Sequence, residues 1–129
     1  MRDLLECGTG HHFRRQHVNL RPEQGAGGSG LIHQARWVEA ERDLTDAEST
    51  TTSMESAIAA LGGVDVLVNN AGVFKITPLL DISSDEWDWV FAVNTRAMLL
   101  TTQVAARSMI AQGTGGKIVN MASMGGKVG

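Results

Sequence analysis

Four places in this 129-residue chain combine polar or small residues in positions suited to act on a ligand. Asn69-Asn70-Ala71-Gly72 closes the apolar run Val64–Val68. Ser123 ends a second such run, Lys117–Ala122. Asp43 and Leu44 follow a third, Arg36–Ala40, and Asn94 lies within the long helical pattern between Val64–Val68 and Lys117–Ala122. Asparagine and serine can hold a ligand oxygen in place by hydrogen bonds. Ala71 and Gly72 leave room for a ligand to approach the backbone. By contrast, His11, His12 and His17 have no cysteine or carboxylate at ligand spacing, so no metal site is read there. Cys7, without a basic partner pattern around it, reads as an incidental thiol.

The elements that must position these residues follow from periodicity and caps. Arg36–Ala40 reads as a short strand. Thr45 or Asp46 can cap a helix running to about Leu61, with Met54, Ile58 and Leu61 at helical spacing. Gly62-Gly63 stops it. Val64–Val68 reads as a buried strand. Ser83, with Glu86 three residues on, is a capping box for the next helix. Trp87, Val90, Phe91 and Met98 form its apolar stripe, and Trp87 and Phe91 are expected in the core. The helical signal continues to about Gln112, with Asn94 as a candidate break. Lys117–Ala122 reads as a second buried strand, and Met98, Met109, Met121 and Met124 as fillers of core or pocket. The order strand, helix, strand, helix, strand predicts an α/β layered fold with parallel strands. In such a sheet, ligands bind beyond the carboxyl ends of the strands. Asp43, Asn69–Gly72 and Ser123 all fall there. Residues 1–34 show no period and read as an irregular N-terminal segment, with Gly25–Gly30 as a flexible loop; residues 35–129 form the ordered domain.

Composition narrows the partners. Hydrophobic residues make up 43%, enough for a modest core. The net charge is −3, with 11 basic and 14 acidic residues, which gives no case for nucleic acid or an anionic membrane. No apolar run approaches the roughly 20 residues of a membrane span. Arg2, Asp3 and Glu6 open a chain that reads as having no secretory signal. A single cysteine makes a reducing, cytoplasmic setting the expectation.

Asn69-Asn70-Ala71-Gly72, Asn94 and the ending Lys117–Gly129 (KIVNMASMGGKVG) together resemble the short-chain dehydrogenase/reductase family, over roughly residues 35–129. The resemblance implies a partial Rossmann-type, doubly wound parallel sheet, truncated at its C-terminus and irregular at its N-terminus. It implies NAD or NADP as cofactor. Asp43 would contact the adenine amino group, with a backbone contact from Leu44. Asn69 would brace neighbouring strands along the cofactor, while Ala71 and Gly72 clear the rim for a ribose. Asn94 would hold a water of the proton relay by its carbonyl, and Ser123 would hydrogen-bond the substrate oxygen. The family's Tyr and Lys do not follow Ser123 before Gly129, and the chain contains no tyrosine, so the isolated chain is expected to show no turnover. The family's glycine-rich phosphate loop would fall at or before Met1. The helix over residues 95–112 would meet a partner subunit through Met98, Leu99, Leu100, Val104 and Met109, making the full-length relative a homo-oligomer.

The function this implies is an NAD(P)-dependent oxidoreductase interconverting a small-molecule secondary alcohol, such as a polyol or sugar alcohol, and a ketone. The stretch Pro78–Ser123 is also similar to 3-oxoacyl-carrier-protein reductases. A truncated or mis-framed product without activity, and a nucleotide-binding or regulatory module that lost catalysis, are the non-enzymatic alternatives.

Overall fold

The computed structural model describes residues 16–20, 36–40 and 43–126. His11, His12, Cys7 and the Gly25–Gly30 stretch lie outside the described residues. The chain forms β1 (Gln16–Leu20), β2 (Arg36–Ala40), α1 (Ala47–Leu61), β3 (Val66–Asn69), α2 (Ser84–Phe91), a π-turn (Ala92–Arg96), α3 (Ala97–Gln112) and β4 (Lys117–Asn120). Short 3₁₀ turns occupy Leu79–Asp81 and Met124–Gly126.

The sheet order is β2-β1-β3-β4. β3 and β4 pair in parallel, Val66 opposite Lys117 through Asn69 opposite Asn120. β1 pairs antiparallel with both β2 and β3, so β2 runs in the same direction as β3 and β4. The expected common direction of those three strands is therefore present. β1 is an addition: the sequence reads residues 1–34 as irregular, yet Gln16–Leu20 is a strand inserted between β2 and β3. Its polar, aperiodic sequence QHVNL gives no local signal of this, and the pairing is a long-range one.

Why α1 forms is plain from its ends. The Asp46 carboxylate accepts the Ser49 amide at 2.6 Å, and Gly62 closes the helix in the left-handed region at φ 71°. Between them Thr50, Met54, Ala57 and Ile58 are buried on one face. That face meets β3 and α3: Met54, Ile58, Val64, Leu67, Val104, Ala105 and Met109 form the main core. Val64 and Leu67 are fully buried. Val104 and Met109 therefore serve this chain's own core, and only Leu99 of the five apolar α3 residues is strongly exposed.

Two sequence expectations are corrected here. Trp87 and Phe91 stack on each other with centroids 4.5 Å apart, but both are exposed, and α2 has no buried residue. The i, i+4 spacing brings the rings together without supplying a surface to cover them. Likewise all four residues of β4 are exposed. β4 is an edge strand, paired on one side only among the described residues, so its apolar side chains lack the second layer a buried strand needs. Met121 and Met124 are exposed as well, whereas Met109 is buried as expected.

The end of α3 is clamped to the start of β3. Gln112 accepts the Val64 amide at 2.7 Å and donates to the Val64 carbonyl at 3.0 Å. Gly63 makes this approach possible, since a Cβ there would overlap the Gln112 amide. Replacing Gln112 by alanine leaves both backbone groups of buried Val64 without these partners. The expected cost is about 1–3 kcal/mol, read as a lower denaturant midpoint at unchanged slope.

Candidate functional site

The three co-directional strands end on one rim. Asp43 follows β2, Asn69–Gly72 closes β3, and Ser123 follows β4. The π-turn carrying Asn94 interrupts the helical run beside them.

Asn69 is the most constrained of these. It is buried, and its amide binds three partners on two elements. Its nitrogen donates to Thr102 Oγ1 at 3.0 Å and to Asn120 Oδ1 at 2.8 Å. Its oxygen accepts from Thr101 Oγ1 at 2.8 Å. The Thr101 hydroxyl, fully buried, also lies 3.0 Å from the Ala97 carbonyl. It has one proton to give, and the Asn69 oxygen is its nearer acceptor. Beyond Asn69 the ladder continues, with the Met121 amide donating to the Asn69 carbonyl at 2.9 Å.

Asn94 is used differently. Its side-chain oxygen accepts from the Val73 amide at 2.8 Å and its nitrogen donates to the Val73 carbonyl at 2.7 Å. The side chain thus imitates a strand neighbour for the loop leaving β3. The helix widens where it does so: the Ala97 amide reaches back five residues, to the Ala92 carbonyl. The candidate break at Asn94 is therefore a π-turn within a continuous helical path. Gly72 lies under this clip. Among the described residues a Cβ there would have only Asn94 Oδ1 within 4 Å, at 3.6 Å, so no other described residue crowds the rim at Gly72.

Asp43 builds the turn after β2. One carboxylate oxygen accepts the Thr45 amide at 2.8 Å and the Thr45 hydroxyl at 2.6 Å. The helix cap is Asp46, not Asp43. Leu44 is buried against Val93 and Ala97, with Ala71 and Val73 beside them. Ser123 is exposed, and its hydroxyl oxygen accepts the Gly125 amide at 3.1 Å. Among the described residues its proton has no acceptor. The structure thus joins Leu44, Ala71, Gly72, Val73 and Asn94 into one patch. Among the described residues no hydrogen bond ties Ser123 to Asn94 or Asp43.

Several residues of this rim are not marked by the sequence reading. Thr101 and Thr102 are a polar pair in an apolar helix, and Asn120 is in register with Asn69; both were available signals. Arg96, whose Nη2 donates to the Thr45 carbonyl at 2.5 Å, has no local signature.

A dinucleotide fits part of this arrangement. Gly72 offers open backbone, and Asp43 keeps its second oxygen free of hydrogen bonds among the described residues. The pyrophosphate does not find a cradle here. The two described helix starts are closed by Asp46 and Ser83, with Glu48, Asp85 and Glu86 in their first turns, which oppose an anion. Among the described residues no cluster of His, Cys, Asp and Glu could hold a metal ion, and no described helix is long and apolar enough to cross a membrane.

The loop after Val73 is pinned a second time. Lys75 Nζ lies 3.0 Å from Glu86 Oε2. Hydrogen bonds from Thr77 and then Lys75 hold the Glu86 carboxyl below its ordinary value of 4.5. A depressed carboxylate stabilises the fold above its ordinary value and loses that contribution as pH falls through the lowered one.

Comparison with known proteins agrees with this geometry. The short chain dehydrogenase family model matches residues 27–129. Sorbitol dehydrogenase of Cereibacter sphaeroides is 41% identical over 87 residues, covering 67% of this chain and 34% of that protein. Human L-xylulose reductase is 43% identical over 81 residues, 63% of this chain and 32% of that one. The crystal structure of acetoin dehydrogenase from Salmonella typhimurium superposes with a TM-score of 0.66 at 37% identity, covering 70% of this chain and 36% of that one. The chain spans about a third of the length of these relatives.

Two outcomes are expected. Asn94→Ala frees Val73, so its amide should exchange hydrogen markedly faster, while global stability falls by no more than about 1.5 kcal/mol, because the clip is exposed. Lowering pH below the ordinary carboxylate range should reduce the protection factors of the amides over residues 75–77 in the native chain, once the intrinsic slowing of exchange in acid is divided out. Glu86→Gln should remove that pH response.

Proposed function

Because the chain belongs to the short-chain dehydrogenase family, we propose that it forms the rim of an NAD(P)-dependent oxidoreductase that interconverts a polyol or sugar alcohol and its ketone. The observation that carries this reading is the common direction of β2, β3 and β4, which delivers Asp43, Asn69–Gly72 and Ser123 to one edge. A bound nicotinamide would supply the hydride chemistry. The chain's own residues orient and hold. Asp43 presents its second carboxylate oxygen, without a hydrogen bond among the described residues, to the adenine amino group, and Leu44 adds a backbone contact there. Gly72 and Ala71 leave the backbone open to a ribose. Ser123 donates a hydrogen bond from its hydroxyl to the substrate oxygen.

Asn94 is assigned the relay position in the same reading. Its side-chain amide bonds both backbone groups of Val73, which supports reading its main-chain carbonyl, in the widened turn, as the one to hold a relay water. Asn69 acts from beneath, keeping β3 and β4 in register at the rim. The polyol preference is supported by the likeness to sorbitol dehydrogenase and L-xylulose reductase. Assembly with a second copy is supported by exposed Leu99, Trp87 and Phe91 on the α2–α3 run.

The test is thermal unfolding with ligands. Millimolar NAD or NADP should raise the midpoint, and sorbitol or L-xylulose should raise it further only when the nucleotide is present. Asp43→Ala should weaken the nucleotide effect about tenfold. No shift with either nucleotide would sink the cofactor reading, and no added shift with any polyol would sink the substrate class.

A further inference from the structure

The turn after β2 and the π-turn are joined twice. The apolar joint is Leu44, buried against Val93 and Ala97. The polar joint is Arg96, whose Nη2 donates to the Thr45 carbonyl. Thr45 is also the residue that fixes Asp43, since its amide and its hydroxyl both bind one oxygen of that carboxylate. The Asp46 amide and the Thr50 hydroxyl reach only the Asp43 main-chain carbonyl, so among the described residues Arg96 holds the one residue that hydrogen-bonds the Asp43 carboxylate. Two positions earlier in the same π-turn, Asn94 holds Val73. One five-residue segment thus grips both the turn beside Asp43 and the loop beside Gly72.

We propose that Arg96 is a positioning residue that sets adenine recognition. By anchoring Thr45 it fixes the direction of the free Asp43 oxygen, and it makes the Asp43 turn and the Asn94 clip move as one unit. This rests on the reading that Asp43 takes the adenine amino group. The Asp43 turn is short and lies at the surface, and a carboxylate free to rotate there would lose the geometry that tells an amino group from an oxo group. An arginine suits the task, because its fork keeps its direction better than a lysine ammonium does.

The probes are NAD and nicotinamide hypoxanthine dinucleotide, which carries an oxo group where adenine has its amino group. A carboxylate accepts a hydrogen bond from the first and repels the second. The native chain should bind NAD about tenfold more tightly. Arg96→Ala should bring the two affinities to within about twofold of each other, and Arg96→Lys, which keeps a donor, should restore part of the difference. A merely structural role for Arg96 would weaken both ligands and leave their ratio alone.

Hydrogen exchange supplies a readout that needs no ligand: in Arg96→Ala the amides of Thr45 and Val73 should exchange faster together at an unchanged unfolding midpoint. A native chain indifferent to the base removes the Asp43 reading, and with it the discrimination assigned to Arg96. A native chain that discriminates, with Arg96→Ala discriminating equally, overturns the proposal and leaves that reading standing. Unchanged exchange at Thr45 overturns the coupling whatever the ligands do.

Discussion

One buried amide sets where the sheet ends and the rim begins. A carboxamide removed from water is costly unless its donors and acceptor are matched. Asn69 is buried, and both ends of its amide are matched by partners that only this fold assembles: two threonines of α3 and the opposite residue of β4. The helix and the two parallel strands are thus located relative to each other at a single point. Loss of the amide would return the Thr101 hydroxyl to the Ala97 carbonyl and deprive Asn120 of its donor. The core formed by Leu67, Val104 and Met109 could survive that change. The alignment of the strand ends could not, because apolar contacts fix distance far less strictly than hydrogen bonds fix direction.

From that point the constraint spreads outward along the backbone. Asn69 fixes the exit of β3. Three residues past it come Gly72 and then Val73, which the Asn94 amide grips by both its backbone groups. The π-turn that carries Asn94 also holds Arg96, and its Val93 side chain reaches Leu44 on the far side. Apart from Ser123, the rim is therefore one connected assembly of short polar contacts over a small apolar patch. It is separate from the larger core between α1, α3 and β3. This separation is useful to a site that must admit a ligand, since small displacements at the rim need not disturb the main core.

Much of this is legible in the amino acids, for local reasons. Asp46 and Ser83 announce their helices, Gly62 and Gly113 end theirs in the left-handed region, and the β-branched run before Asn69 marks the central strand. Asn94 stands out as a polar residue in an apolar helix, and it is where the helix widens. What sequence alone does not yield is long-range. β1 is a strand through pairing with partners on both sides, and its own residues do not ask for one. Trp87 and Phe91 carry the spacing of core residues but lack a surface to meet. The edge position of β4 is likewise a matter of topology, since KIVN reads the same at the edge or the centre of a sheet. Among site residues, Asp43, Asn69 and Gly72 are visible as strand-end signals, whereas Arg96 is defined wholly by a contact across 51 positions of sequence.

The charges at the helix starts limit what this rim can recognise. A helix N-terminus attracts anions through unsatisfied amides and the aligned peptide dipoles. In α1 the Asp46 carboxylate already occupies that place, with Glu48 beside it; in α2 Ser83 is the cap, with Asp85 and Glu86 following. An incoming phosphate would meet fixed negative charge at both. The polar groups without a partner among the described residues, namely the second Asp43 oxygen, the backbone at Gly72 and the Ser123 hydroxyl proton, suit uncharged hydrogen-bonding groups. What the described part of the rim leaves open is thus a set of directional hydrogen-bonding groups flanked by negative helix starts, a surface that favours neutral polar groups over phosphate.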